Sequence, residues 1–170
     1  MLQQDWDLIA IAGGIPGALN LAESTLLRDK LCQQHQSKGM LGAICLAPAL
    51  VLKPAGVLDQ MKKVTGNPLA IKTPEQNWPA DYFTSILGDR FDANSRVISD
   101  EEQQIVLSQT PGTAIEYAIA MVKMLCGEER ASSIRNYFLK HLTRNFGYYE
   151  GFRQFFIMIG PFTYSYSVHL

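Results

Sequence analysis

Two short runs of uninterrupted apolar residues, each ending in a tight turn, constrain the fold of this chain most. The first is Leu8-Ile9-Ala10-Ile11-Ala12, which stops at Gly13-Gly14, and the second is Met40-Leu41-Gly42-Ala43-Ile44, which stops at Cys45. Runs of this length are typical of parallel strands that are buried on both faces. A helix-like segment follows each turn, so the order of elements predicts a parallel sheet with helices on its faces.

Two segments between and after these runs have clear helical signals. Ser24 is a suitable N-cap for a helix that extends to about Gln36, with Gly39 as its left-handed stop. A second amphipathic helix ends at Gly127. Its predicted buried face consists of Ile115, Ala118, Ile119, Val122 and Leu125.

The other elements are assigned from shorter patterns. Residues 96–99 and 104–108 form a plausible hairpin, and a last helix begins near Glu128. Residues 62–65 suggest a short strand, whereas the mixture of prolines and acidic residues in 73–94 suggests a long loop. We therefore expect one α/β domain over residues 1–142.

The last 28 residues have a different composition from the rest. More than half of the chain's Phe, Tyr and Trp residues lie between Phe146 and Tyr166. No helical or strand period is evident, so we treat 143–170 as a tail of unknown structure. The longest apolar stretch in it, Phe155 to Ile159, is far shorter than the roughly 20 residues of a membrane helix.

Charge and cysteine content narrow the function classes. The chain has 15 basic and 16 acidic residues, so nothing in its charge favours nucleic acid or an anionic membrane as a partner. Its 3 cysteines lack metal-ligand spacing and are odd in number, which indicates reduced thiols and a cytoplasmic location. The Gly13-Gly14 turn lacks a complete nucleotide-binding motif. We expect no metal and no cofactor.

Cys45 allows two interpretations. At a strand-to-helix corner, its thiol lies at the carboxyl edge of the sheet, where N–H groups at the start of the next helix favour the thiolate. Alternatively, Cys45 is a buried core residue, which is the commoner state of a cysteine among apolar neighbours. The local sequence alone favours the second interpretation, and the other turns favour the first.

Three turns together resemble those of the ThiJ/PfpI superfamily, over about Asp5 to Leu142. They are Gly13-Gly14-Ile15-Pro16-Gly17, Ala43-Ile44-Cys45-Leu46-Ala47-Pro48 and Ser108-Gln109-Thr110-Pro111-Gly112-Thr113. The resemblance implies a flavodoxin-like three-layer sandwich with a mostly parallel sheet, usually as a homodimer. It also implies a reactive cysteine at Cys45. Backbone N–H groups near Gly13, Gly14 and Leu46 would form an anion pocket, with Asn67, Thr110 and Pro111 beside it.

The chain departs from the superfamily pattern in three ways. A glutamate that hydrogen-bonds the cysteine lies on the first strand of these proteins, and this sequence starts downstream of that strand. We therefore expect a sheet that lacks a central strand and a chain of low stability. Asn67 stands where some members have a histidine, and it cannot act as a base. Thr110 stands where glycine is usual, which predicts a distorted backbone.

These features lead to one functional hypothesis and two alternatives. The resemblance implies that Cys45 attacks a small carbonyl compound such as methylglyoxal, or a glycated protein side chain, in stress protection. The first alternative is a non-catalytic redox sensor or chaperone that responds to oxidation of Cys45. The second is an inactive truncated product.

Overall fold

The sheet is the centre of the fold. The computed structural model describes residues 6–69 and 77–142. Its four strands are β1 (Leu8–Ile11), β2 (Met40–Ile44), β3 (Val97–Asp100) and β4 (Ile105–Ser108), in the spatial order β1-β2-β4-β3. The β1–β2 and β2–β4 pairs are parallel. The β3 and β4 strands pair antiparallel and form a hairpin. The predicted α/β class and mostly parallel sheet are confirmed.

The parallel register brings three loops to one edge of the sheet. Ile11 pairs with Ala43, and Ile44 pairs with Ser108, so β1, β2 and β4 end side by side. The segments that follow them begin at residues 12, 45 and 109. The three turns singled out in the sequence therefore meet at the carboxyl edge, where ligands bind in open α/β sheets.

Helices cover both faces of the sheet. In chain order they are α1 (Gly17–Glu23), α2 (Thr25–Gln36), a short π-type helix (Pro48–Leu52), α3 (Tyr82–Leu87), α4 (Ala114–Cys126) and α5 (Glu128–Leu142). The helices before β3 pack on one face around a large apolar cluster, while α4 covers the other face around a smaller one. The α5 helix packs against α4. This gives three layers, as predicted.

Alternation along the strands divides the core between the two faces. Leu41 and Ala43 of β2 belong to the large cluster, whereas Met40 belongs to the smaller one together with Val106 and Tyr117. Successive side chains of a strand point to opposite faces, so one apolar strand supplies both clusters. That double burial explains why the strand has no polar positions.

The α2 helix begins as predicted and ends differently. The Ser24 hydroxyl oxygen accepts a hydrogen bond from the Leu27 N–H at 3.2 Å, which is an N-cap. The left-handed residue after the helix is Lys38, with φ 60°, and not Gly39. A Cβ on Gly39 would displace the Gln34 side-chain amide, whose nitrogen donates to the carbonyls of Trp6 at 2.7 Å and Met40 at 3.3 Å.

The predicted buried face of α4 is largely wrong. Tyr117 and Met121 pack in the sheet-facing cluster, while Ile115 is 43% and Leu125 44% exposed. Of the predicted face, Ile119 is buried. The helix carries apolar residues on more than one side, and contact with the sheet selects the side that bears the tyrosine. Helical spacing alone does not make that choice.

Residues 77–94, the described part of the predicted loop 73–94, are not simply a loop, and 73–76 lie outside the described residues. Residues 77–94 contain α3, followed by one 3₁₀ turn over Gly88–Arg90. Trp78, Tyr82 and Phe83 form mutual ring contacts with centroids 5.1 to 5.8 Å apart, and this aromatic cluster packs α3 onto the core. The strand predicted at 62–65 is reduced to a single bridge between Val64 and Phe91. Like α3, the α1 helix is not indicated by the sequence patterns described above.

Two predictions concern the ends of the chain. Residues 143–170 lie outside the described residues, so the division into a domain and a tail stays a prediction. The expected loss of a central strand does not show as a gap in the sheet, because the four described strands are adjacent and β1 lies at an edge.

Within 6–69 and 77–142, the helices are too short or too polar to cross a membrane.

Candidate active site

Cys45 lies at the sharp turn between β2 and the π-type helix. Its φ of 65° is in the left-handed region, which costs a non-glycine residue on the order of 1–3 kcal/mol. Hydrogen bonds hold this conformation on both sides of the residue. The Cys45 N–H donates to the Ser108 carbonyl at 3.0 Å, and the Cys45 carbonyl accepts from the Asn67 N–H at 2.7 Å.

Two adjacent glycines bring the first loop against the cysteine, for different reasons. A Cβ on Gly13 would overlap the Cys45 Cβ and the Ile44 carbonyl oxygen and would lie 3.1 Å from the Leu46 nitrogen, so only glycine fits there. Gly14 has φ 88°, and among the described residues no atom lies within 4 Å of where its Cβ would be. The loop therefore packs tightly at Gly13 and leaves open space at Gly14.

Two backbone amides converge on the cysteine sulfur. The backbone N–H groups of Gly14 and Leu46 are the polar groups that favour the Cys45 thiolate, and both lower the pKa of the thiol. Burial acts in the opposite direction and is the larger effect, so the pKa of Cys45 lies above its usual value. The expected donors are present, but they do not by themselves produce a thiolate at neutral pH.

Cys45 lies between the two interpretations, because it packs against the large apolar cluster without being fully enclosed, and its role as a reactive thiol stays a prediction. Its side chain is only partly buried, whereas the next residue, Leu46, is fully buried. Leu46 thus contributes its amide to the site and its side chain to the core. The other two cysteines are also free, and the Cys32 thiol donates to the Ala55 carbonyl at 3.3 Å, while Cys126 is exposed.

Asn67 contacts the site through its backbone. Its side-chain amide nitrogen donates to the Leu69 carbonyl at 2.8 Å, and its side-chain oxygen accepts from the Leu69 N–H at 3.4 Å. The side chain is 3% exposed and serves to fold its own loop. Gly66 precedes it, and a Cβ on Gly66 would come within 3.3 Å of the Cys45 carbonyl oxygen. Asn67 therefore supports the turn and supplies no base.

Thr110 and Pro111 follow β4 at the same edge of the sheet. The Thr110 backbone has φ −144° and ψ 171°, an extended conformation that any residue adopts. The expectation that threonine distorts this position is therefore wrong. The Thr110 N–H donates to the Thr113 hydroxyl oxygen at 3.1 Å, and Pro111 is exposed.

Sequence reasoning did not assign a role to Ser108 or Thr113. Ser108 accepts the hydrogen bond from the Cys45 N–H, and its own hydroxyl is 2.6 Å from the Thr113 hydroxyl. Their side chains are fully buried or nearly so. Both residues lie in the quoted motif, but the signal for their role is the pairing of β2 with β4, which no local pattern contains.

The described residues contain no group of three or more His, Cys, Asp or Glu side chains arranged to hold a metal ion. The groups that act on the Cys45 thiol are the two amides and the surrounding apolar residues. This arrangement can stabilise negative charge on the sulfur or on an oxygen attached to it.

Comparison with known proteins identifies relatives in sequence and in structure. Residues 2–124 match the family model described as the DJ-1/PfpI family. The protein named DJ-1 homolog B from Arabidopsis thaliana is 34% identical over 128 residues, which are 75% of this chain and 26% of that protein. The glutathione-independent glyoxalase DJR-1.2 from Caenorhabditis elegans is 33% identical over 76% of this chain and 60% of its own length.

Solved structures agree with this assignment. Oxidized DJ-1 from Toxoplasma gondii superposes on this chain with a TM-score of 0.67 at 29% identity. The match covers 81% of this chain and 66% of the Toxoplasma chain. The chain thus spans from about a quarter to two thirds of the relatives it matches. With a family model that covers well over half of its residues, the chain belongs to the DJ-1/PfpI family.

Proposed function

We propose that this protein acts on small reactive carbonyl compounds, such as methylglyoxal, or on glycated side chains, through Cys45. The supporting observation is the pair of N–H groups, from Gly14 and Leu46, that point at Cys45 Sγ. When the sulfur adds to an aldehyde carbon, a C–S bond forms and the carbonyl oxygen gains negative charge. That oxygen lies next to the sulfur, within reach of the same donors.

The later steps need proton transfers. A proton shift between the two carbons of the methylglyoxal adduct gives a thioester, and water then hydrolyses it to lactate and the free thiol. In the described residues no carboxylate acts on the Cys45 thiol. Solvent therefore takes the thiol proton in this proposal, and the reaction is slow near neutral pH.

One experiment separates this proposal from the alternatives. We expect the purified chain to consume methylglyoxal, followed by proton NMR, and Cys45→Ser to reduce consumption to the buffer rate. Cys126→Ser is the matched control, because it removes an exposed thiol at the end of α4 and should leave the rate unchanged. An unchanged rate in Cys45→Ser would exclude Cys45 from the reaction.

A redox-sensing role is the second candidate, since a sulfinate on Cys45 would place its oxygens beside the same two amides. It predicts no methylglyoxal consumption and selective sulfinate formation at Cys45 after mild peroxide. An inactive product predicts neither result. We further propose a homodimer in the cytoplasm, a location supported by the three free cysteines.

A further inference from the structure

The conformation of Cys45 depends on the end of β4. Cys45 has a left-handed backbone, and its N–H donates to the carbonyl of Ser108, the last residue of that strand. If the Ser108 carbonyl moves, the Cys45 amide and the following Leu46 amide move with it. The direction of the thiol relative to its donors is therefore tied to the position of Ser108.

Ser108 is held in turn by a pair of hydroxyl groups. Its Oγ lies 2.6 Å from Thr113 Oγ1, and it also lies 3.2 Å from the Arg96 carbonyl oxygen. Ser108 is 0% and Thr113 1% exposed. Hydrogen bonds between buried groups are not exchanged with water, so they are costly to leave unmade.

Thr113 connects this pair to the loop that precedes α4. Its hydroxyl donates to the Thr110 carbonyl at 2.8 Å and accepts from the Thr110 N–H at 3.1 Å. One side chain thus joins the end of β4, the 110–112 loop and the start of α4. Two of its contacts are with the Thr110 backbone and one is with the Ser108 hydroxyl, and all three lie at the carboxyl edge of the sheet.

We propose that Thr113 is a positioning residue for Cys45: through Ser108, its hydroxyl holds the backbone that directs the thiol at the amide hydrogens of Gly14 and Leu46. This inference rests on the proposed role of Cys45 as the reactive thiol. It assigns Thr113 no contact with substrate.

The test measures alkylation of Cys45 by iodoacetamide against pH, resolved by peptide mass spectrometry in the full chain. For Thr113→Val we expect a rate profile shifted to higher pH and roughly threefold slower alkylation at mildly alkaline pH, because the thiolate loses hydrogen bonds. Thr113→Ser keeps the hydroxyl and should restore the original profile. Cys126, at the far end of α4, serves as an internal reference for reagent activity.

The matched control is Thr84→Val. The Thr84 hydroxyl also donates to a carbonyl three residues earlier, that of Asp81, at 2.9 Å, but it is not joined to Ser108. Its removal should leave the Cys45 profile unchanged. Ser108→Ala removes the other hydroxyl and should reproduce the shift, which keeps the proposal testable where Thr113→Val does not fold.

Several results would overturn the proposal. Folded Thr113→Val and Ser108→Ala with the original profile would show that the hydroxyl pair does not act on Cys45. Loss of cooperative unfolding in both variants would show that the hydroxyl pair contributes only to stability. A Thr113→Ser variant with a shifted profile would exclude the Thr113 hydroxyl as the group that positions Cys45. Because alkylation needs no dicarbonyl, a chain that consumes no methylglyoxal but shows the shift would refute the proposed function alone.

Discussion

Cys45 shows how two opposite effects combine at a single residue. The amides of Gly14 and Leu46 favour the thiolate, and burial favours the thiol by more, so the pKa of Cys45 is raised. A thiol with a raised pKa is mostly protonated at neutral pH, and its thiolate fraction keeps growing beyond the pH at which an ordinary cysteine is fully ionised.

This balance predicts the pH dependence of alkylation at Cys45. The rate should rise about tenfold per pH unit through neutral pH and continue to rise where a short cysteine peptide has reached its plateau. The measurement is iodoacetamide labelling with peptide mass spectrometry, with the peptide in the same mixture. A plateau for Cys45 at or below neutral pH would show that the amides outweigh burial.

At the scale of elements, the packing of α4 on the sheet depends on Tyr117 and Gly42. The tyrosine is 6% exposed, and its hydroxyl has no hydrogen-bond partner among the described residues. Burial strongly raises the pKa of Tyr117. A Cβ on Gly42 would overlap the Tyr117 hydroxyl and come within 2.9 Å of Met121 Sδ. The strand β2 therefore has a glycine at the position where the Tyr117 side chain packs against it.

We therefore expect Tyr117→Phe to stabilise the fold by about 1–2 kcal/mol, because it removes a buried hydroxyl without a partner. Gly42→Ala should destabilise the parent chain and do less harm in the Tyr117→Phe background. Denaturant titrations of the single and double variants give this coupling. Tyr82→Phe, at a partly exposed tyrosine of α3, is the control. A less stable Tyr117→Phe would indicate that the hydroxyl has a partner.

At the scale of the whole molecule, the exposed side of α4 bears on assembly. Ile115 and Leu125 are more than two fifths exposed, and Ala118 between them is also exposed. Apolar residues aligned on one helix face are a typical interaction surface. The homodimer proposed above would need an apolar contact of this kind, and we expect it on this face of α4.

Replacing Ile115 and Leu125 together with glutamine should weaken self-association, while the free energy of unfolding changes by about 0.5 kcal/mol or less. Sedimentation velocity over a range of protein concentrations measures the first effect, and denaturant titration the second. Leu26→Gln, at a leucine of α2 that is 61% exposed, is the control for a general gain in solubility. Equal association of the double variant and the parent would place any interface elsewhere.

The sequence by itself determined the four strands of the sheet, the Gly13-Gly14 and Cys45 turns and the family, but not the strand predicted at 62–65. Apolar runs such as 8–12 and 40–44 have one stable solution in an α/β protein, and the Gly13-Gly14 and Cys45 turns follow from where those runs end. The N-cap at Ser24 was also predictable from the sequence, because a cap is a contact between residues three positions apart in the chain.

Only the tertiary structure decided which face of α4 is buried, why Gly39 and Gly42 are glycines, and how Thr113 is linked to Cys45. Each of these depends on contacts between elements that are distant in the chain. It also decided that burial outweighs the amide donors at Cys45. The Leu46 amide is next to Cys45 in the chain, but the Gly14 amide reaches it because β1 pairs with β2, and desolvation depends on everything that packs around the sulfur.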